Sequence, residues 1–414
     1  MFRKLIEDFF SRERKFEGIQ RELEIADTDK IVSIVGPRRA GKTWFFYYLL
    51  DKVEAGCYIS FEDIAFRNLR LEEIFDVIKI FSEVKYRPKT LLLDEVQVLE
   101  GWQILIRSLY DRGYKIFITG SSSRLLPKDI STQLRGRTLS YILLPFSFRE
   151  IVKAKKLKLD SRIFEERGII LKALREYLAY GGFPEIVLGR DRDRIIRQYF
   201  EEIFYKDFVE RHKVKSLEFG RFLFEFAFQN YSKEISFRKI KNFFSKKISD
   251  TTLYGYVEKL QDTMAVFFLE KFSPSVYLRR SWPRKIYVCD TGISRMLDLS
   301  NDIGGRMENA VFLELLRKAN QDPIFRVYYW KSIHGEEVDF VIKRGSRIIE
   351  LLQVTYASGR DEIGRREIKS LVKASDELNC NNLLIITWDY EDEIKMDGKT
   401  VRCIPLWKWL LLLR

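Results

Sequence analysis

The stretch that most constrains this chain is Gly36-Pro37-Arg38-Arg39-Ala40-Gly41-Lys42-Thr43. A β-branched run, Ile31 to Val35, leads into it, and a helix-compatible run beginning Trp44-Phe45-Phe46 leaves it. The spacing is GxxxxGK[ST] in the strand–loop–helix setting that a phosphate cradle needs. Gly36 and Gly41 let the backbone turn its N–H groups inward on an anion. The helix starting near Lys42 aims the positive end of its dipole at the same point. Lys42 is expected to reach the outer phosphates of a nucleotide and the Thr43 hydroxyl to hold Mg2+, with Gly36 through Trp44 as the binding segment.

A partner for that loop follows at Thr90-Leu91-Leu92-Leu93-Asp94-Glu95. The apolar run lacks alternation, as expected of a strand buried on both faces of a parallel sheet. Its carboxylates fall at the end where ligands bind in such sheets. Asp94 is expected in the Mg2+ shell and Glu95 as the general base on the attacking water. An earlier strand is expected near Cys57 to Phe61, ahead of Glu62-Asp63. A later one, Lys115 to Thr119, runs into Gly120-Ser121-Ser122-Ser123. Thr119, Ser121 and Ser122 are candidates to touch the γ-phosphate or the water, with Ser121 put forward. A fifth strand, Leu139 to Leu144, follows Arg135-Gly136-Arg137. Arg137, and after it Arg135, could stabilise transition-state charge within the chain or across a subunit interface.

These segments, with Pro145-Phe146-Ser147-Phe148-Arg149-Glu150, resemble the AAA-type ATP-binding proteins of archaea and bacteria, which join an ATPase core to a C-terminal nuclease-like domain. The resemblance spans nearly the whole chain. It implies an α/β P-loop core with a five-stranded parallel sheet in the order 5-1-4-3-2 and a helical lid. On that reading residues 1–150 are the core, 151–228 the lid and connecting helices, 229–299 a winged helix-turn-helix and 300–414 a degenerate PD-(D/E)xK nuclease-like domain.

The remaining segments fit that division. Residues 1–30 read as an opening helix with Phe2, Leu5, Ile6, Phe9 and Phe10 on one face. Tyr180-Gly181-Gly182-Phe183-Pro184-Glu185 interrupts a charged helical region, as a similar turn does in the resembled lid. Lys206, Asp207 and Arg211 form an expected ion-pair stripe. Helices are expected from Ser236 to Phe244 and from Thr251 to Gln261, and strands over Val266–Phe272 and Tyr287–Cys289. Between these strands, Arg279, Arg280, Arg284 and Lys285, interleaved with Trp282, suit phosphate contact and stacking. Such contacts would carry no sequence information.

In the last domain Glu308 and Asp339 match two acids of the resembled nuclease site. Gln353 and Thr355 stand where an acid and a lysine are needed to hold Mg2+ and activate water. Glu350, an odd number of residues away, points to the opposite strand face. The expectation is a degenerate nuclease fold that binds nucleic acid or a protein.

At 414 residues and 46% hydrophobic, the chain has core enough for two to four domains. Its net charge of +13 favours an acidic partner, nucleic acid first and DNA among the possibilities. Four scattered cysteines and two histidines form no metal or disulfide pattern and suit a reduced cytoplasm. Leu410 to Leu413 is too short to span a membrane. The expected function is Mg2+-dependent ATP hydrolysis, releasing ADP, coupled to conformational change. A nucleotide-dependent DNA- or protein-binding switch is the alternative, and an ATP-dependent nuclease a third. Oligomers are compatible with each.

Overall fold

A computed structural model describes residues 2–12, 16, 18–66, 69–120, 136–157, 164–244, 248–275, 277, 279, 282–297 and 302–412. The chain forms two compact units, Met1–Leu144 and Pro145–Arg414.

The first unit is built on a five-stranded sheet of β1 (Ile31–Val35), β2 (Gly56–Ser60), β3 (Thr90–Asp94), β4 (Lys115–Gly120) and β5 (Thr138–Ile142). Neighbouring strands pair in parallel in the order β2-β3-β4-β1-β5, which is the expected 5-1-4-3-2 order read from the other edge. All five residues of β1 and of β3 are buried, as apolar strands without alternation require. This sheet brings the ends of β1 and β3 to one edge. The opening helix is shorter than expected, Phe2–Ser11. Ile6, Phe9 and Phe10 are buried while Leu5 is exposed. Beyond Ser11 the described residues up to β1 take no regular structure, because the apolar spacing is not sustained.

The second unit begins with a capping box, in which Ser147 Oγ accepts the Glu150 N–H and Glu150 answers on the Ser147 N–H. Helices Phe164–Tyr180, Pro184–Leu188 and Arg192–Glu202 follow. The glycine turn between the first two is fixed by contact. Gly181 has φ +78°, and a β-carbon there would lie 1.7 Å from Asp290 Oδ1. Buried Asp290 accepts the N–H groups of Gly182 at 2.6 Å and Gly292 at 2.8 Å. Of the expected ion-pair stripe, Arg211 meets Asp207 at 2.9 Å, while Lys206 lies 3.9 Å from Glu202.

Next come helix Leu217–Gln229, β6 (Glu234–Ile235), helices Phe237–Phe243 and Asp250–Asp262, β7 (Val266–Leu269) and β8 (Arg284–Val288). The strands form a small antiparallel sheet ordered β6-β8-β7. Ser249 caps the third helix through the Thr252 N–H.

Helix Ile303–Gln321 leads into a six-stranded sheet. Its strands are β9 (Phe325–Lys331), β10 (Glu337–Arg344), β11 (Arg347–Val354), β12 (Leu383–Thr387), β13 (Asp392–Met396) and β14 (Lys399–Pro405), ordered β13-β14-β12-β11-β10-β9. β11, β12 and β14 run parallel, with helix Arg365–Leu378 making the β11–β12 crossover. Cys57, Cys289, Cys380 and Cys403 are buried free thiols. No helix among the described residues is long and apolar enough to cross a membrane.

Candidate functional site

The loop after β1 closes around Lys42. A β-carbon on Gly36 would lie 2.1 Å from the Leu143 carbonyl oxygen, so only glycine fits there. Gly41 has φ +95° and Arg39 φ +68°. The Ala40 N–H donates to the Pro37 carbonyl at 3.2 Å, and buried Arg21 braces the loop through the Ala40 carbonyl at 2.8 Å. Lys42 Nζ donates to the carbonyls of Gly36 at 3.1 Å and Pro37 at 3.2 Å, and lies 3.7 Å from Glu95 Oε1. Trp44, on the first turn of the helix, is half exposed, with its ring edge-on to Tyr47.

Asp94 ends β3 under three hydroxyl donors. Thr43 Oγ1 reaches its Oδ2 at 2.8 Å, Tyr58 OH reaches the same oxygen at 2.9 Å, and Thr119 donates to Oδ1. Burial pushes the Asp94 carboxyl above the usual carboxylate range and the charge of Glu95 adds to this. The Thr119, Thr43 and Tyr58 hydrogen bonds pull the other way. Glu95 follows in the left-handed region at φ +53°. Its N–H donates to Thr119 Oγ1 at 2.9 Å, and the Gln97 amide donates to its carboxylate.

Thr119 therefore joins Asp94 to Glu95, while Ser121, Ser122 and Arg135 lie outside the described residues. Two participants had no motif to announce them. Tyr58 sits mid-strand in β2, where a buried tyrosine reads as core. Glu62, just past β2, faces Glu95, Arg38, Asp94 and Lys42. Partial burial and then the charge of Glu95 raise its carboxyl above the usual range.

Arg137 departs from expectation as a residue acting on its own phosphate loop. Its carbonyl accepts the Ile31 N–H, which places it at the start of β1, the opposite end from Gly36. Its guanidinium meets Asp111 at 2.8 Å and lies over the Tyr110 ring.

The chemistry of the first site fits a nucleotide with Mg2+. A glycine-bounded loop and a lysine face the position of an anion, and a threonine hydroxyl and a buried carboxylate stand 2.8 Å apart beside it.

A second polar cluster lies in the other unit, and it corrects the reading of Lys285 as a phosphate-facing residue. Lys285 is only 2% exposed. Its Nζ lies 3.0 Å from Glu308 Oε1, 2.7 Å from Glu337 Oε1 and 2.8 Å from Asp339 Oδ1. Burial works against its charge, but Asp339 and then Glu308 overcome it and hold the lysine well above its usual range. Tyr287 OH donates to Glu308 at 2.7 Å, and burial, then Asp339, pushes the Glu308 carboxyl up to about 8.

The other cations of that stretch also have partners inside the chain. Arg279 donates to the Ser273 carbonyl at 2.8 Å, and the Arg284 guanidinium lies over the Phe237 ring. Lys271 stands 4.1 Å over Trp282. Arg280 lies outside the described residues. Gln353 accepts the Asp339 N–H at 3.3 Å, Thr355 is buried, and Glu350 turns away to Asn382 at 3.0 Å. Among the described residues no three acidic, histidine or cysteine ligands are arranged to hold a metal ion.

Comparison with known proteins agrees with the first site. Residues 28–152 match the family described as AAA domain, which covers β1 through β5. Residues 171–303 and 303–409 match two families described as domains of unknown function, DUF8612 and DUF4143. "Uncharacterized protein MJ1544" of Methanocaldococcus jannaschii is 36% identical over 99% of this chain and 95% of its own length. An "Uncharacterized protein" of Haemophilus influenzae is 25% identical over 95% of this chain and 97% of its own. With the phosphate loop in a five-stranded parallel sheet and this similarity running end to end, the chain belongs to the AAA-type P-loop family that includes the Methanocaldococcus jannaschii protein.

Proposed function

We propose that the chain is a Mg2+-dependent ATPase that releases ADP and phosphate and uses the cycle to change conformation. The observation that carries this reading is the convergence of Lys42, Thr43, Asp94 and Glu95 at one edge of the sheet. Lys42 is held by two loop carbonyls and Glu95, so its ammonium is ready to exchange those partners for phosphate oxygens. Thr43 and Asp94 would hold Mg2+, which would supply charge neutralisation on the phosphates. Glu95, released from Lys42, orients and deprotonates water. Thr119 keeps Glu95 in register with Asp94 through its bonds to both. Phosphate release from Mg2+-ATP tests this, and turnover surviving in Lys42→Ala rejects it.

The second unit gives the cycle something to move. Three helices and a sheet ordered β6-β8-β7 support a winged helix, and the sheet of β9–β14 with its two helices supports a nuclease-like shape that has lost its acid-x-lysine. A nucleotide-dependent binding switch is the second reading. The burial of Lys285 and the internal partners of Arg279 and Arg284 favour a protein over DNA as its partner. Binding of a DNA duplex that weakens steeply with salt would reverse that preference.

A further inference from the structure

We propose that Lys285 is the resident cation of the nuclease-like domain: it stands in place of a metal ion among Glu308, Glu337 and Asp339, and clasps the three-stranded sheet onto the six-stranded one. The inference rests on the nuclease-like reading of β9–β14. Its observations are the three contacts of one ammonium, at 2.7, 2.8 and 3.0 Å, made by a lysine that is 2% exposed. A buried lysine is tolerated only with such pairing.

Each surviving position of the nuclease-like set has a partner within the protein. Asp339 gives one oxygen to Lys285 and the other to the Val354 N–H at 3.0 Å. Glu308 takes both Lys285 and Tyr287 on Oε1. Gln353, in the place of an acid, accepts the backbone N–H of Asp339. Thr355, in the place of the lysine, is buried. The charge that a divalent ion would supply comes from β8 instead.

The clasp continues outward. Lys331 on β9 joins Glu337 at 3.3 Å to Glu234 on β6 at 2.9 Å, and Tyr329 OH donates to the Pro283 carbonyl at 2.6 Å. The two sheets are therefore tied at β6 and β8 on one side and β9 and β10 on the other. As they stand, the carboxylates are spaced for ammonium contacts rather than for the Mg2+–oxygen distance of about 2.1 Å.

The test uses the full chain without nucleotide. Thermal unfolding is followed for wild type, Lys285→Met, Asp339→Asn and Lys285→Met/Asp339→Asn, each with and without millimolar Mn2+. The expected result is a Tm lowered by roughly 10 °C in Lys285→Met, with part of the loss restored by Mn2+ and no restoration in the double variant. Asp339→Asn alone should also lose several degrees, which keeps the idea open to refutation if Lys285→Met does not fold. Lys285→Met or Asp339→Asn as stable as wild type would overturn the clasp. Destabilisation of Lys285→Met that Mn2+ does not relieve would overturn the equivalence with a metal ion while leaving the nuclease-like reading of β9–β14 standing, since that reading rests on the order of the strands and not on ion binding.

Discussion

Asp94 shows how much of a site can depend on residues that carry no motif. Its Oδ2 is shared by Thr43, which the phosphate-loop spacing announces, and Tyr58, which nothing in the sequence distinguishes from core. If Asp94 holds Mg2+, Thr43 is drawn to the same ion and Tyr58 becomes the donor that keeps the carboxylate aimed. A hydrogen bond to a charged group contributes about 1.5–3 kcal/mol. Tyr58→Phe is therefore expected to raise the Mg2+ concentration for half-maximal turnover roughly tenfold. Nucleotide binding in EDTA should stay as in wild type. An unchanged Mg2+ dependence would remove Tyr58 from the site. The signal that could have found Tyr58 is topological: Ser60 pairs with Asp94 across β2 and β3, so a tyrosine two residues earlier shares its face of the sheet.

Strand direction separates Arg137 from its own phosphate loop. β1 rises by about 3.3 Å per residue, so the Ile31 end, where Arg137 sits, is roughly 13 Å from the Val35 end. Arg137→Ala is accordingly expected to leave turnover by a single chain within about twofold, an arginine that far away having no Coulomb hold on the γ-phosphate of its own loop. A large loss that depends on protein concentration would instead mean that Arg137 acts across an interface between copies. The elements themselves were largely legible. Buried parallel strands write continuous apolar runs, and a phosphate loop fixes its flanking strand and helix, so β1, β3 and β4 and their order were in reach. Lys285 was not, because a cation between Arg284 and a hydrophobic run reads as surface until the acids that bury it are known. Those acids lie more than 20 positions downstream, and no local pattern joins them to β8.

At the scale of the whole molecule, buried acids set the pH response. Burial raises Asp290 to about 7 against an ordinary value of 3.8, so the folded chain holds that proton after the unfolded chain has released it. Stability should then fall as pH rises from about 4 to about 7, by up to ~1.4 kcal/mol per pH unit from this group. Glu308, raised to about 8 from an ordinary 4.5, adds a comparable slope over most of that window and carries the fall on to about pH 8. Lys285 adds no slope in this window, because its folded value is raised and its contribution is lost only above the ordinary lysine range. Urea unfolding of Asp290→Asn across that window should show a shallower slope than wild type, and equal slopes would contradict the assignment. The account as a whole stands on one reaction. Phosphate release from Mg2+-ATP by wild type and by Lys42→Ala is its most direct test. The account predicts Mg2+-dependent turnover in wild type and at least a hundredfold loss in the variant, whereas equal rates in the two proteins, or none in wild type, would contradict it.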